Sequence, residues 1–160
     1  MIPEKNLYLG VDPGASGGMA LLDPDGNIVD VTAMPETPAE IAAYFEEFAP
    51  RIKIAAIEHV HAFPGQSANT MFKFGWNAGL LQMALIAFKI PFELCQPGHW
   101  QKPMGCIIKG RDDPKDRYAD KKRHIKDRMQ ALFPRQKITL KTADAIGIAE
   151  YTRRKFRGLL

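Results

Sequence analysis

Leu7-Tyr8-Leu9-Gly10-Val11-Asp12-Pro13-Gly14-Ala15-Ser16-Gly17-Gly18 is the stretch that decides how this chain is read. Five apolar or small residues run straight into a carboxylate, and a glycine-rich turn follows at once. A short apolar run bounded by a turn signal reads as a buried strand. An acid at the end of such a strand is costly unless something compensates it. Two other places repeat the context. Glu58 ends the largely apolar run from Ile52 to Ile57, and Asp144 opens the stretch Ala143-Asp144-Ala145-Ile146-Gly147-Ile148-Ala149. Three acids meeting at one edge of a sheet repel one another. Divalent cations are the usual compensation, and carboxylate oxygens suit Mg²⁺, with Mn²⁺ expected to substitute. Asp12, Glu58 and Asp144 are thus candidate metal ligands and catalytic acids of an enzyme acting on phosphate.

Outward from that stretch the pattern continues in short elements. Residues 18–23 read as a second strand, Asp23-Pro24-Asp25-Gly26 as a tight turn, and residues 27–33 as a third strand. Thr37, Pro38 and Glu40 mark a helix start by cap, first-turn proline and capping-box acid. Ile41, Tyr44, Phe45 and Phe48 follow at helical spacing, and Pro50 ends the run. Residues 52–57 are a fourth strand and residues 59–66 a loop. A long helix is predicted from Ser67 to about Lys89. Its stripe of Met71, Phe74, Ala78, Leu81, Leu85 and Phe88 reads as core or as a dimer seam, and Gly75 and Gly79 permit close approach of another element. Residues 91–94 form a fifth strand and Pro97-Gly98-His99-Trp100 a short helix. A Gly-, Lys- and Asp-rich loop is predicted over 104–117, a basic helix over 120–133, and a last helix capped by Thr142 and running to about Arg154. Leaving aside the short helix at Pro97–Trp100, the resulting order is βββαβαβαα.

Composition narrows the class. The 160 residues are 46% hydrophobic and 25% charged, ordinary values for one soluble globular domain spanning 1–160. No apolar run approaches the roughly 20 residues that span a bilayer. The N-terminus lacks a signal peptide's basic-then-apolar layout, so a cytoplasmic location and no membrane partner are expected. Cys95 and Cys106 have no metal-ligand spacing and read as idle thiols. The net charge of +4 conceals an asymmetry. Residues 1–101 hold 5 Lys+Arg against 11 Asp+Glu, and residues 102–160 hold 17 against 7. A segregated basic surface attracts polyanions, and beside an acidic cluster it points to nucleic acid.

Together these residues resemble a known family. The element order, with acids at the ends of the first and fourth strands and in the last helix, resembles the RNase H-like fold. That implies an α/β protein with a mixed five-stranded sheet flanked by helices. More narrowly, the chain resembles the RuvC family of Holliday junction resolvases, particularly its phage-type members. Val11-Asp12-Pro13-Gly14 is similar to the family's first motif. Ile57-Glu58, followed by the helix segment Asn69 to Gly79, is similar to the second. Gln96-Pro97-Gly98-His99-Trp100-Gln101-Lys102 resembles a Pro-x-x-Trp-x-Lys stretch of phage relatives. Asp120-Lys121-Lys122-Arg123 resembles the lysine-bearing start of the penultimate helix, and Thr142-Ala143-Asp144-Ala145 the closing motif. The resemblance covers about residues 6 to 151. One position departs from it: Lys141 stands where the family carries a further acid or histidine. Either one metal position is weaker, or Lys141 contacts phosphate directly. Glu150, six residues past Asp144, lies near the opposite helix face and does not replace that acid.

The resemblance implies a Mg²⁺-dependent endonuclease that resolves four-way DNA junctions and leaves 5′-phosphate ends, a phage origin, and a homodimer. Two metals about 3.5–4 Å apart activate water and hold the leaving oxygen in such chemistry. Lys121 or Lys122 is a candidate catalytic cation for the scissile phosphate. Lys73, Lys102, Lys109, Arg111, Lys115 and Arg117 are candidate backbone contacts, and Phe63 a candidate wedge at the crossover. His59 and His61 are lesser candidates in the same loop. A junction's two-fold symmetry calls for paired cuts, which a symmetric dimer supplies, with the long helix and Trp76 as its seam. Three other readings compete. They are a broader flap- or fork-cleaving nuclease, a catalytically inactive junction-binding module, and an actin-like phosphate loop at Asp12-Pro13-Gly14.

Overall fold

The structure, a computed structural model, describes residues 4–62, 64–107 and 114–160, and only the backbone of 114–117. Strands β1 (Leu7–Asp12), β2 (Gly18–Leu22) and β3 (Ile28–Ala33) form a meander. Helix α1 (Pro38–Phe48) leads to β4 (Ile52–Glu58), then α2 (Ala68–Ala87), β5 (Phe92–Cys95) and the short α3 (Pro97–Gln101). Helices α4 (Pro114–Leu132) and α5 (Ala143–Phe156) close the chain. The sheet order is β3-β2-β1-β4-β5. Pairing is antiparallel between β1 and β2 and between β2 and β3, and parallel between β1 and β4 and between β4 and β5. This is the mixed five-stranded α/β sheet flanked by helices that the sequence implies. Among the described residues no helix is long and apolar enough to cross a membrane.

Alternation along the strands sorts the core into two layers. Leu7, Leu9, Val11, Met19, Leu21 and Ile57 face α1 and α2, where Ile41, Phe45, Leu81 and Leu85 meet them. Ala20, Leu22, Ala56 and Cys95 face the other layer, built on Trp100, Ile125, Met129 and the buried side of α5. The predicted stripe of α2 is therefore core at its centre: Ala78, Leu81 and Leu85 are buried. Start signals act as read at α1. Thr37 Oγ1 accepts from the Glu40 amide at 3.2 Å while Glu40 Oε2 accepts from the Thr37 amide at 2.9 Å.

Helix α5 lies unusually close to β1, and Gly10 is the reason. A Cβ at Gly10 would stand 2.3 Å from both the Ala145 carbonyl oxygen and the Ala149 amide nitrogen. Only a residue without a side chain lets the helix backbone sit there. The far end of α5 is anchored by charge. Buried Glu150 accepts from Arg153 and Arg154, and Arg153 Nη1 also donates to the Pro24 carbonyl at 3.0 Å. Glu150 is thus a structural acid away from Asp144, as its helical phase implies.

Two local expectations are corrected. The basic helix begins at Pro114, inside the segment predicted as loop. Proline at a first helical position is preorganised for the turn and has no amide to leave unpaired. Thr142 is the N-cap residue of α5, but its side chain accepts from no amide of the helix; its Oγ1 instead accepts from the Thr139 amide at 3.1 Å, closing the turn before the helix.

Candidate functional site

Register brings the two strand-end acids together. Val11 pairs with Ile57 across the parallel β1–β4 ladder, so Asp12 and Glu58 each sit one residue past the last paired rung. Neighbouring strands run about 4.8 Å apart. Both side chains share the face of Gly10 and Ala56, the face that α5 covers. The close seating of α5 over Gly10 then puts Asp144, in the first turn of that helix, against the same corner. Asp12 and Asp144 are buried and Glu58 half-buried.

The three acids act on one another through their charges. Burial, joined by the charges of Asp144 and Glu58, pushes the Asp12 carboxyl well above the usual carboxylate range, and Lys122 only partly offsets this. Burial also raises Glu58; a hydrogen bond from Trp100 opposes that shift and the Asp144 charge adds to it. One cation already stands among them. Lys122 Nζ donates to Asp144 Oδ2 at 2.5 Å and lies 4.0 Å from Asp12 Oδ2. Burial alone would depress that ammonium, but Asp144 and Asp12 outweigh it and raise it. The open choice between the two lysines is thereby answered in geometry. Lys122 touches the acids, whereas Lys121 acts on Glu58 through its charge.

Asp144 Oδ1 is buried and has no hydrogen-bond partner. A buried, unpaired carboxylate oxygen is expensive and asks for a ligand. Three carboxylates supply hard oxygen donors, so in donor type the corner fits an oxygen-seeking divalent cation. Among the described residues no group of three or more His, Cys, Asp or Glu is drawn tightly enough to enclose a metal. Instead, the Lys122 ammonium partly offsets the charge of the corner.

The glycine turn after Asp12 is held by α2. Gly14 has a positive φ of 101°, and its amide donates to Asn77 Oδ1 at 2.7 Å. Gly17 donates to the Gly14 carbonyl at 2.9 Å, closing the β1–β2 hairpin. Two of the turn's amides, those of Gly14 and Gly17, are thus taken within the protein.

Two residues of this corner escape a reading by sequence. Trp100 Nε1 donates to Glu58 Oε2 at 2.7 Å from a fully buried ring. Asn77 grips Gly14. For Trp100 the sequence offers the Pro-x-x-Trp-x-Lys resemblance, which assigns it no contact, and an indole N–H that must find an acceptor just past a strand end. For Asn77 it is an amide set among apolar helical neighbours.

The other candidates divide. Lys73, Lys102 and Lys141 are exposed and touch none of the three acids by any hydrogen bond or ion pair found among the described residues. Phe63, Lys109 and Arg111 lie outside the described residues, as do the side chains of Lys115 and Arg117. His59 Nδ1 is 2.7 Å from Gln96 Nε2, beside β5, and its ring is 6.5 Å from that of His61. Both cysteines are buried, with thiols pushed up by burial to about 12 for Cys95 and about 11 for Cys106, which fits inert packing.

A heptad-like row runs along the outside of α2. Phe72, Trp76, Met83 and Ile86 are large, apolar and exposed, from 56% to 71%, and Gly79 sits among them with nothing near it.

No protein-family model matches the chain, and no curated protein matches it in sequence. Solved structures share its fold. A Thermus thermophilus RuvC structure in complex with Holliday junction substrate superposes with a TM-score of 0.66 at 14% identity. A second Thermus thermophilus RuvC structure gives 0.64 at 15% identity. Each match covers 96% of this chain and 97% of the other.

Proposed function

We propose that this protein is a Mg²⁺-dependent endonuclease that resolves four-way DNA junctions. One observation carries the reading: Asp12, Glu58 and Asp144 meet at one buried corner, where their charges act on one another beside the Lys122 ammonium. The fold shared with a RuvC that was solved on Holliday junction substrate supports the choice of DNA. So does the excess of 17 Lys+Arg over 7 Asp+Glu after residue 101.

Asp12, Glu58 and Asp144 would hold the cation, with the unpaired Asp144 Oδ1 as a ready ligand. Bound Mg²⁺ supplies an activated water and relief of charge on the leaving oxygen, and Mn²⁺ substitutes for it. The chain's own residues do the rest. Burial of the corner excludes bulk water and strengthens each charge interaction there. Lys122 keeps the acids neutralised before substrate arrives and then offers its charge to the scissile phosphate. Exposed Lys73, Lys102 and Lys141, with Lys109, Arg111, Lys115 and Arg117, track the phosphate backbone, and Phe63 wedges the crossover.

The protein acts as a homodimer, and the row Phe72, Trp76, Gly79, Met83 and Ile86 is its seam. Spacings of four, three, four and three are those of a helix packing along another helix. Gly79 lies at the centre, so a two-fold axis there sets Trp76 opposite Met83 and Phe72 opposite Ile86. A row of this kind left in water is a liability that a partner removes. We place the protein in the cytoplasm, encoded by a phage, acting on branched DNA.

The test is cleavage of a synthetic mobile four-way junction, with a flap and a plain duplex as comparators. Paired nicks that need Mg²⁺, prefer the junction and vanish in Asp12→Asn are expected. Equal cutting of the flap favours the broader nuclease, and tight junction binding without any nicking favours the inactive module.

A further inference from the structure

Trp100 offers no group for catalysis, yet it touches two of the three acid-bearing elements at the corner. Its indole N–H donates to Glu58 on β4 at 2.7 Å. Its ring is fully buried and fills a notch in α5 where residue 147 has no side chain. A Cβ on Gly147 would stand 2.5 Å from Trp100 Cζ3. Gly147 is three residues past Asp144, one turn along the same helix. The ring therefore lies between the Glu58 carboxylate and the helix that carries Asp144.

We infer that Trp100 is a positioning residue that fixes the Glu58 carboxylate in direction and in distance from Asp144. The inference rests on the metal reading of this corner and deepens it. A carboxyl at a strand end turns about its last torsion, and its two oxygens then exchange places. A buried donor on Oε2 stops that rotation, because breaking the bond would leave an indole N–H unpaired in the core. The rigid two-ring side chain does the spacing. Held by the Gly147 notch on one side, it transmits the position of α5 to Glu58 on the other. Partners of ligating carboxylates act in this way at metal sites, and losing one typically lowers metal affinity or activity about 10–100-fold.

Packing alone would also keep Trp100 in the core, so the test has to separate the N–H from the ring. Site-specific replacement of Trp100 by benzothienylalanine keeps the two-ring shape and puts sulfur where the N–H was. The expected result is an unchanged melting temperature without metal, with Mn²⁺ affinity by calorimetry and junction-cleavage kcat each lower by about 10-fold or more, and KM for DNA unchanged. Wild-type affinity and kcat in that protein would overturn the positioning role. Gly147→Ala, which crowds the ring, is expected to weaken Mn²⁺ binding in the same direction.

A second measurement does not depend on metal at all. In the metal-free protein the Trp100 indole proton, followed by NMR, should shift in Glu58→Gln, where a charged acceptor becomes neutral. An indole proton that ignores Glu58→Gln also overturns the inference, because the bond is then absent. A protein whose indole proton responds, but which binds neither Mg²⁺ nor Mn²⁺, leaves the contact standing and defeats the metal reading instead.

Discussion

Helices α5 and α2 cover opposite faces of one sheet and spend their sequences differently. Every residue of α5 from Ala143 to Thr152 is buried, and its contact with β1 uses alanines over a glycine. Of the 20 residues in α2, the buried ones are Ala78, Leu81 and Leu85, while Phe72, Trp76, Met83 and Ile86 stand in solvent. Small residues let two backbones approach until polar atoms at their ends have fixed positions, and the cost is that nothing can be added. Large side chains left outside fix nothing within the chain. The α5 face seats the helix that carries Asp144 tightly on β1; the α2 face leaves four large apolar side chains in solvent. Both faces carry glycines, and only the setting tells them apart. Gly10 and Gly147 are pressed against other groups, whereas Gly75 and Gly79 have nothing within 4 Å.

The largest effect expected from breaking this contrast is at the acid corner. Asp12→Asn should reduce junction nicking by at least roughly a hundredfold, the upper loss seen for mere outer partners of a metal site. The same change should raise the melting temperature of the metal-free protein, because it removes a buried charge that two other acids oppose. Gly10→Ala tests the seating of α5 directly. Its methyl would sit 2.3 Å from two backbone atoms of the helix, which cannot move aside as a side chain would. A loss of about 3 kcal/mol in a urea titration is expected, at the upper end of ordinary overpacking. Next comes the outer face. Trp76→Glu should weaken self-association by roughly thirtyfold, the result of losing about 2 kcal/mol at a buried aromatic anchor. Sedimentation across a concentration series reads this, and a wild-type chain that stays monomeric at micromolar concentration removes the seam. Gly75→Ala is the counterpart of Gly10→Ala with the opposite sign. With open space around it, it should gain up to about 1 kcal/mol from helix propensity.

Much of this contrast was legible in the residues, and the parts that were not share a cause. Asp12 and Glu58 announced themselves because each ends an apolar run, a pattern of period and punctuation that needs no third dimension. Asp144 did so through the small apolar residues around it. The choice between Lys121 and Lys122 depends on the phase of α4 against α5, which no local pattern encodes. The bond from Trp100 to Glu58 joins residues 42 apart, and the notch that admits its ring is a glycine 47 residues further on. The spacing of Gly75 and Gly79 permits close approach of another element, yet the chain's own close approaches are at Gly10 and Gly147. The spacing of two glycines says that a helix face is thin, not what lies across from it. The outer row of α2 was hidden by the inner one: the core stripe through Ala78, Leu81 and Leu85 dominates the periodicity, and a second stripe on the far side of the same helix blurs it.

The smallest effect is a slope, and its sign separates the two faces most cleanly. Asp12 and Glu58 both have carboxyls raised above their ordinary values in the folded protein, Asp12 strongly, with burial the largest cause in each. Between the ordinary carboxylate value and the raised one, the folded chain holds protons that the unfolded chain has already released. Stability then falls as pH rises through that window, the reverse of what a paired surface acid produces. Without divalent metal, the melting temperature should therefore decline as pH climbs above the ordinary carboxylate range. Lys122 opposes the decline by its contacts with Asp144 and Asp12. Asp12→Asn should flatten it, since the group that keeps its proton longest is gone. Trp76→Glu should leave the slope as it was, because the outer face of α2 places no acid at that corner. A metal-free slope that Trp76→Glu changed as much as Asp12→Asn would mean that the two faces are not independent, and the division of labour between α5 and α2 would have to be abandoned.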